Sequence, residues 1–178
     1  MPPTLEERIR RVRLVLLDVD GVLTDGKILL HPDGGESKTF DIRDGTGIVL
    51  AAKAGLRVGL LSARYAAATA ERAAQLRIPI VRQGAADKLA AYEDIIASEG
   101  LKDDEVAYMG DDLLDLPVLR RVGLPAAPAD AVPDVQAAAV WVSRARGGDG
   151  AVREFTELLI RGQGLWEQVV SDLAPVRQ

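Results

Sequence analysis

The sequence predicts an α/β fold, a three-layer sandwich with a mostly parallel β-sheet between helices. Three observations point there. Short apolar runs alternate with segments of helical periodicity, as buried parallel strands and crossover helices do. Glycines at 55, 100 and 123 stand where the helices should end. Two aspartates, Asp18 and Asp20, follow directly on the first apolar run. That position is the carboxyl end of a strand, where such sheets bind their ligands.

The elements follow in order. Val12–Leu17 reads as a fully buried first strand. Lys27–Leu30 and Glu36–Phe40 flank HPDGG, a β-hairpin signal that interrupts the alternation. A helical pattern at 45–54 leads to a second buried strand, Leu56–Leu61, and a helix at 66–76 to a strand at Ile78–Val81. A helix at 86–99 precedes the strand Val106–Met109, and a helix at 114–121 precedes the strand Ala139–Val142. A last helix occupies 151–161. The sum is a Rossmann-like sandwich with a hairpin insertion and no cap domain, expected to be one domain over 1–178. The tail 162–178 loses periodicity around Gly162, Gly164 and Pro175, so its end should be mobile. Leu165, Trp166, Val169 and Val170 suggest that its first part docks.

Composition narrows the function. A length of 178 residues suits one domain with a continuous core. A net charge of −5 argues against nucleic acid, whose phosphates demand a basic face. The absence of cysteine removes disulfides and thiolate metal sites. The start, MPPTLEERIRRVR, lacks the apolar core of a signal peptide, and no apolar run approaches membrane length. The expectation is a cytoplasmic enzyme acting on a small molecule, away from membranes.

Asp18 and Asp20 lie in DVDGVLTDG. Burying one carboxylate is costly and a second nearby adds repulsion, a penalty that a divalent cation removes. Oxygen-only ligands favour a hard ion such as Mg²⁺. A nucleophilic Asp18 beside a general acid/base Asp20 is the chemistry of an aspartyl-phosphate enzyme. Three further groups fall after later strands: Ser62 in LLSAR, Lys88 after QGAAD, and Asp111 with Asp112 in YMGDDLLDLP. Pro117 suits the first turn of a helix and places those two aspartates in the preceding loop. Singly, these are an N-cap serine, a solvated lysine and a turn. Jointly they supply a nucleophile, a hydroxyl donor, a cation for phosphoryl oxygens and a metal ligand, the parts of a phosphoryl-transfer site.

In these four motifs the chain resembles the haloacid dehalogenase superfamily. Within it, DVDGVLTDG, FDIRDGTGI, QGAADK, VAYMGDDLLDLPVL, VGLPAAPADA and GGDGAVRE are similar to the family of 3-deoxy-D-manno-octulosonate 8-phosphate (KDO 8-phosphate) phosphatases, from about residue 12 to 168. The resemblance implies that Asp18 attacks phosphorus, while Asp20 protonates the leaving oxygen and then activates water. It implies Mg²⁺ on Asp18, the Asp20 carbonyl and Asp111, with Ser62 and Lys88 on the phosphoryl oxygens. Asp112 would orient the metal water or Lys88. Asp20, Asp41, Ile42, Arg43, Asp44, Gly45, Arg64, Arg72, Lys88 and Asp112 are the implied substrate contacts. Two departures stand out: Ser62-Ala63-Arg64 replaces the usual TGR, and Val49 replaces an arginine found in some relatives.

Spacing adds a separate expectation. Asp18 and Ser62 are separated by 43 residues, and Lys88 and Asp111 by 22, too few for a lid domain in either interval. An open site would borrow a wall from a neighbour, and the hairpin at 27–40 is the candidate, because a lone two-stranded ribbon is marginal. The resemblance implies a homotetramer joined through these hairpins, with a flap from Gly162–Trp166 over the site mouth. Two other functions stay open: a phosphatase for a nine-carbon acid such as 2-keto-3-deoxynononate 9-phosphate, and a non-catalytic assembly module like that fused to some sialic-acid cytidylyltransferases. Arg64 and the RDG at 43–45 favour the eight-carbon substrate, and the retained charges oppose the inert module.

Overall fold

In a computed structural model, which describes residues 2–173, the first strand, β1 (Leu14–Leu17), is buried at every position and lies inside the sheet. The helix α1 (Leu5–Arg11) precedes it, started by a Thr4–Glu7 capping box. A ribbon of β2 (Leu29–Leu30) and β3 (Glu36–Ser37) follows, then α2 (Ile42–Lys53), β4 (Arg57–Leu61), α3 (Ala67–Gln75), β5 (Ile80–Arg82) and α4 (Lys88–Glu99). The second half runs β6 (Val106–Met109), a 3₁₀ turn at Leu113–Asp115, α5 (Leu116–Leu119), β7 (Leu124–Ala127), α6 (Pro133–Ala138), β8 (Trp141–Val142), α7 (Ala151–Gly162) and α8 (Trp166–Ser171).

The six-stranded sheet has the order β5-β4-β1-β6-β7-β8, with parallel pairing throughout. β1 sends alternate residues to opposite sides. Val15 and Leu17 join a core with Ile48, Ala73, Phe155 and Leu159 of α2, α3 and α7, while Leu14 and Leu16 join one with Tyr92, Ile95, Val118 and Val135 of α4, α5 and α6. Helices thus cover both faces, as the uniformly apolar strands require. The chain winds outward from β1 through β4 and β5, then resumes on the other side at β6. The loops after β1 and β6 therefore diverge, opening a crevice at the carboxyl ends.

Several expected elements are shorter than their apolar runs, and some were missed. The strand expected over Ala139–Val142 is only Trp141–Val142, and the helix expected over 114–121 is a 3₁₀ turn followed by α5. α1 is mostly charged and buries only Ile9, so it shows no apolar stripe. β7 reads LPAA, whose proline and alanines are weak strand formers, yet all four residues are buried. α6, a short helix with Pro133 in its first turn, was also missed.

The tail docks early. Gln163 donates to the carbonyls of Ile9 (2.9 Å) and Val12 (2.8 Å), and Val169 is buried in the core. Because Val12 precedes β1, this puts 162–173 at the amino ends of the strands, opposite Asp18, so within one chain it forms no flap over the site. The expected mobile end beyond Pro175 lies outside the described residues. The ribbon pairs with no other strand among the described residues, and it leaves Leu29 and Leu30 exposed.

Candidate active site

β1 delivers Asp18 to the crevice, and its backbone N–H donates to the Met109 carbonyl (3.0 Å). The loop then wraps the Val19 carbonyl, which accepts from the N–H groups of Val22, Leu23 and Thr24. Gly21 has φ +85, and a Cβ there would stand 2.0 Å from Asp111 Oδ2, so only glycine lets this loop meet that carboxylate. From the far end of the chain, Gly148 N–H donates to the Val22 carbonyl (2.9 Å), and a Cβ on Gly147 would strike the Gly21 carbonyl at 1.7 Å. The GGDG segment thus clamps the loop that follows Asp18, which is the physical content of a motif that the sequence alone left unexplained.

Lys88, the first residue of α4, is buried, with α4 capped by Asp87. Its Nζ donates to Asp115 Oδ1 (2.6 Å) and reaches Asp18 Oδ1 (3.0 Å). Tyr108 also donates to Asp115 Oδ1, and the N–H groups of Asp111 (2.9 Å) and Asp112 (3.2 Å) donate to Asp115 Oδ2. Asp115 therefore organises the β6 loop and holds Lys88, and orienting Lys88 is one of the two roles that the resemblance implied for Asp112. Asp112 instead caps the 3₁₀ turn, accepting from Leu113 N–H (2.7 Å), while its residue lines the crevice. A third carboxylate one helical turn beyond Asp111 was the available signal for Asp115.

A cavity of about 230 Å³ is lined by Asp18, Asp20, Ser62, Arg64, Lys88 and Asp111, with Ala63, Asp112 and Asp115 at its walls. Asp20 Oδ1 accepts from Lys38 Nζ at 2.6 Å, a partner just after β3 that no motif announced. Arg64 donates to Glu36 Oε2 (2.9 Å).

The start of α2 lies outside this cavity. Asp41 caps α2, Ile42 is exposed, and Arg43 bridges Asp41 and Asp149. Asp44 is buried and accepts from the N–H groups of Gly150 (3.2 Å) and Arg153 (2.8 Å), so it caps α7 from a neighbouring helix. Arg72 packs beside Gly45 and over the Phe40 ring. The structure thus gathers Asp18, Asp20, Ser62, Arg64, Lys88, Asp111 and Asp112, and leaves Asp41, Ile42, Arg43, Asp44, Gly45 and Arg72 elsewhere.

The electrostatics call for a cation. Burial, and then the charge of Asp115, push Asp18 up to about 7 despite Lys88. Burial and the charges of Asp18 and Asp115 push Asp111 up to about 8. Burial pulls Lys88 down, but Asp18 and Asp115 outweigh it and the net shift is upward. Asp18, Asp111 and Asp115 can each offer an oxygen within 4.8 Å of the others. Both oxygens of Asp115 already accept hydrogen bonds, whereas Asp111 Oδ1 is buried without a partner. Asp111, and Asp18 beyond its ion pair with Lys88, are therefore the candidate ligands, and an all-oxygen set fits a hard divalent ion.

Residues 58–155 match the family of haloacid dehalogenase-like hydrolases. The chain belongs to that family. Among curated relatives, this hydrolase is 43% identical over 157 residues to KdsC of Escherichia coli, a 3-deoxy-D-manno-octulosonate 8-phosphate phosphatase, covering 88% of this chain and 84% of that one. It is similar to the solved 3-deoxy-D-manno-octulosonate 8-phosphate phosphatase of Yersinia pestis (40% identity, TM-score 0.90, covering 92% and 88%). It also matches that of Moraxella catarrhalis, solved with magnesium, phosphate and KDO (30% identity, TM-score 0.92, covering 95% and 97%).

Proposed function

We propose that this phosphomonoesterase hydrolyses KDO 8-phosphate to the free sugar acid and phosphate, a step in lipopolysaccharide precursor synthesis. The observation that carries the reading is the buried Lys88, held between Asp18 and Asp115 in a crevice that also presents Ser62, Asp20 and Asp111. The relatives' 41–43% identity supports the substrate.

Asp18 attacks phosphorus and the bond to the sugar oxygen breaks, its electron pair leaving on that oxygen. Asp20 gives the oxygen a proton, which general acid catalysis makes worth ~10²–10⁴-fold. Water then attacks the phosphorus of the aspartyl phosphate while Asp20 takes its proton, and phosphate departs with Asp18 restored. Lys88 and Ser62 hold the phosphoryl oxygens throughout. Asp18, the Asp20 carbonyl and Asp111 would hold Mg²⁺, which neutralises phosphoryl charge. Arg64 at the cavity is the sugar-side contact within one chain. Ile42, Arg43 and Arg72 would reach a sugar only across a subunit boundary, in the homotetramer that the ribbon is proposed to join.

Phosphate release tests this, with KDO 8-phosphate, 2-keto-3-deoxynononate 9-phosphate and p-nitrophenyl phosphate, each with Mg²⁺ or EDTA. The highest kcat/KM should fall on KDO 8-phosphate, lost in EDTA and restored by Mg²⁺. Preference for the nine-carbon acid would replace the substrate, and activity surviving thorough chelation would remove the metal.

A further inference from the structure

Lys38 is the least expected charge in the molecule. Its side chain is 1% exposed although it directly follows β3, in a ribbon whose leucines face solvent. A buried ammonium is tolerated only where it is paired. Its Nζ lies 2.6 Å from Asp20 Oδ1 and 3.9 Å from Glu36 Oε1. Arg64 closes the ring, 2.9 Å from Glu36 Oε2 and 3.8 Å from Asp20 Oδ2. The last distance is too long for a hydrogen bond. The two oxygens of Asp20 are therefore unequal: Oδ1 is engaged, whereas Oδ2 is buried without a hydrogen-bond partner.

We infer that Lys38 is a positioning residue for the proton transfers at Asp20, its bond to Oδ1 holding the carboxyl in one orientation at the cavity. Lys38 is not among the residues lining the cavity, so it acts through Asp20 and not on the substrate. The proton carried on the Asp20 carboxyl goes to the leaving sugar oxygen, and the carboxylate afterwards receives one from the attacking water. A carboxyl free to turn would spend most of its time out of line with the leaving oxygen, and the oriented fraction would fall. Glu36, 3.9 Å away, adds a counter-charge without a hydrogen bond, so residues 36 and 38 supply both the positioning charge and a counter-charge. This deepens the proposed function and rests on its assignment of Asp20.

The test is the kinetics of Lys38→Met and Lys38→Arg, alone and with Asp20→Asn, on KDO 8-phosphate and p-nitrophenyl phosphate, with thermal midpoints recorded for each variant. For the sugar phosphate, Lys38→Met should lower kcat by ~10²-fold, the lower end of the general-acid contribution, with KM changed by less than about 3-fold. The first-turnover release of p-nitrophenol, a leaving group that needs no proton, should fall by less than about 10-fold. In the Asp20→Asn background Lys38→Met should cost nothing further, because the two act as a unit. Lys38→Arg, which keeps the charge, should recover part of the loss, and it decides the matter if Lys38→Met does not fold. A raised KM with kcat intact would make Lys38 a substrate contact and overturn the inference, as would equal losses on both esters or an additive loss in the double variant. Those outcomes leave the phosphatase reading standing. A parent that ignores KDO 8-phosphate but cleaves another alkyl phosphate removes only the substrate assignment, and the Lys38 comparison is then read on that ester.

Discussion

At the scale of single residues, Asp18 has two ties, to Lys88 and to the proposed cation, and Asp18→Asn loosens both. The amide is a poor nucleophile and a weak ligand, so phosphate release should fall by more than ~10³-fold with the thermal midpoint unchanged or raised. The raised midpoint follows from charge. Asp18 and Asp111 keep protons up to about 7 and about 8 in the folded protein, whereas an unfolded chain releases them near ~4. Between those limits the folded state binds more protons, so stability falls as pH rises. Metal-free protein should therefore melt lower at about pH 8 than at about pH 5, and added Mg²⁺ should flatten the difference; calorimetry in EDTA and in Mg²⁺ measures both. Asp18, Ser62 and Asp111 were legible because each ends an apolar run or follows it closely. Lys38 and Asp115 were not. Asp115 acts only because a 3₁₀ turn brings it back beneath its own loop, and Lys38 reaches Asp20 from just beyond a strand of two residues.

Among elements, the α2–α7 pair shows how a motif can serve the fold. Asp44 caps the first turn of α7 through two N–H groups, and burial pushes its carboxyl up to about 6 against those two bonds. Asp44→Ala should destabilise by ~1–3 kcal/mol, from a lost cap and buried donors left unpaired. Urea melts give that figure, and kcat per folded molecule should stay within a few-fold of the parent if the role is structural. The C-terminal helix carries a similar lesson. Truncation after Arg161 removes both Gln163 bonds and the buried Val169, so it should lower the thermal midpoint before it affects sugar recognition. Strands with branched apolar residues were readable from pattern. β7 was not, because its residues take strand form only through partners on both sides, β6 and β8.

For the whole molecule, the sandwich was readable because alternation constrains it strongly, while assembly depends on surfaces that no single pattern describes. Leu29 and Leu30, 63% and 74% exposed, stand on a ribbon that joins no other strand among the described residues. Such an edge invites pairing with another copy. Light scattering should give a tetramer mass, and Leu30→Glu should shift it toward smaller species while leaving p-nitrophenyl phosphate turnover per site within a few-fold. A monomeric parent fully active on KDO 8-phosphate would show that no neighbour is needed.

The clamp of Gly147 and Gly148 over the loop after β1 has a consequence for synthesis. On the ribosome, β1 emerges early but waits for β4 and β6 on its two sides, and the loop after it waits longer still for a hydrogen bond from Gly148. The acidic pocket is therefore closed only when nearly the whole nascent chain is out. A chain stalled before Gly147 would carry Asp18 and Lys88 yet leave the loop unpinned, and limited proteolysis of that fragment should cut between Asp18 and Lys27 where the finished protein resists.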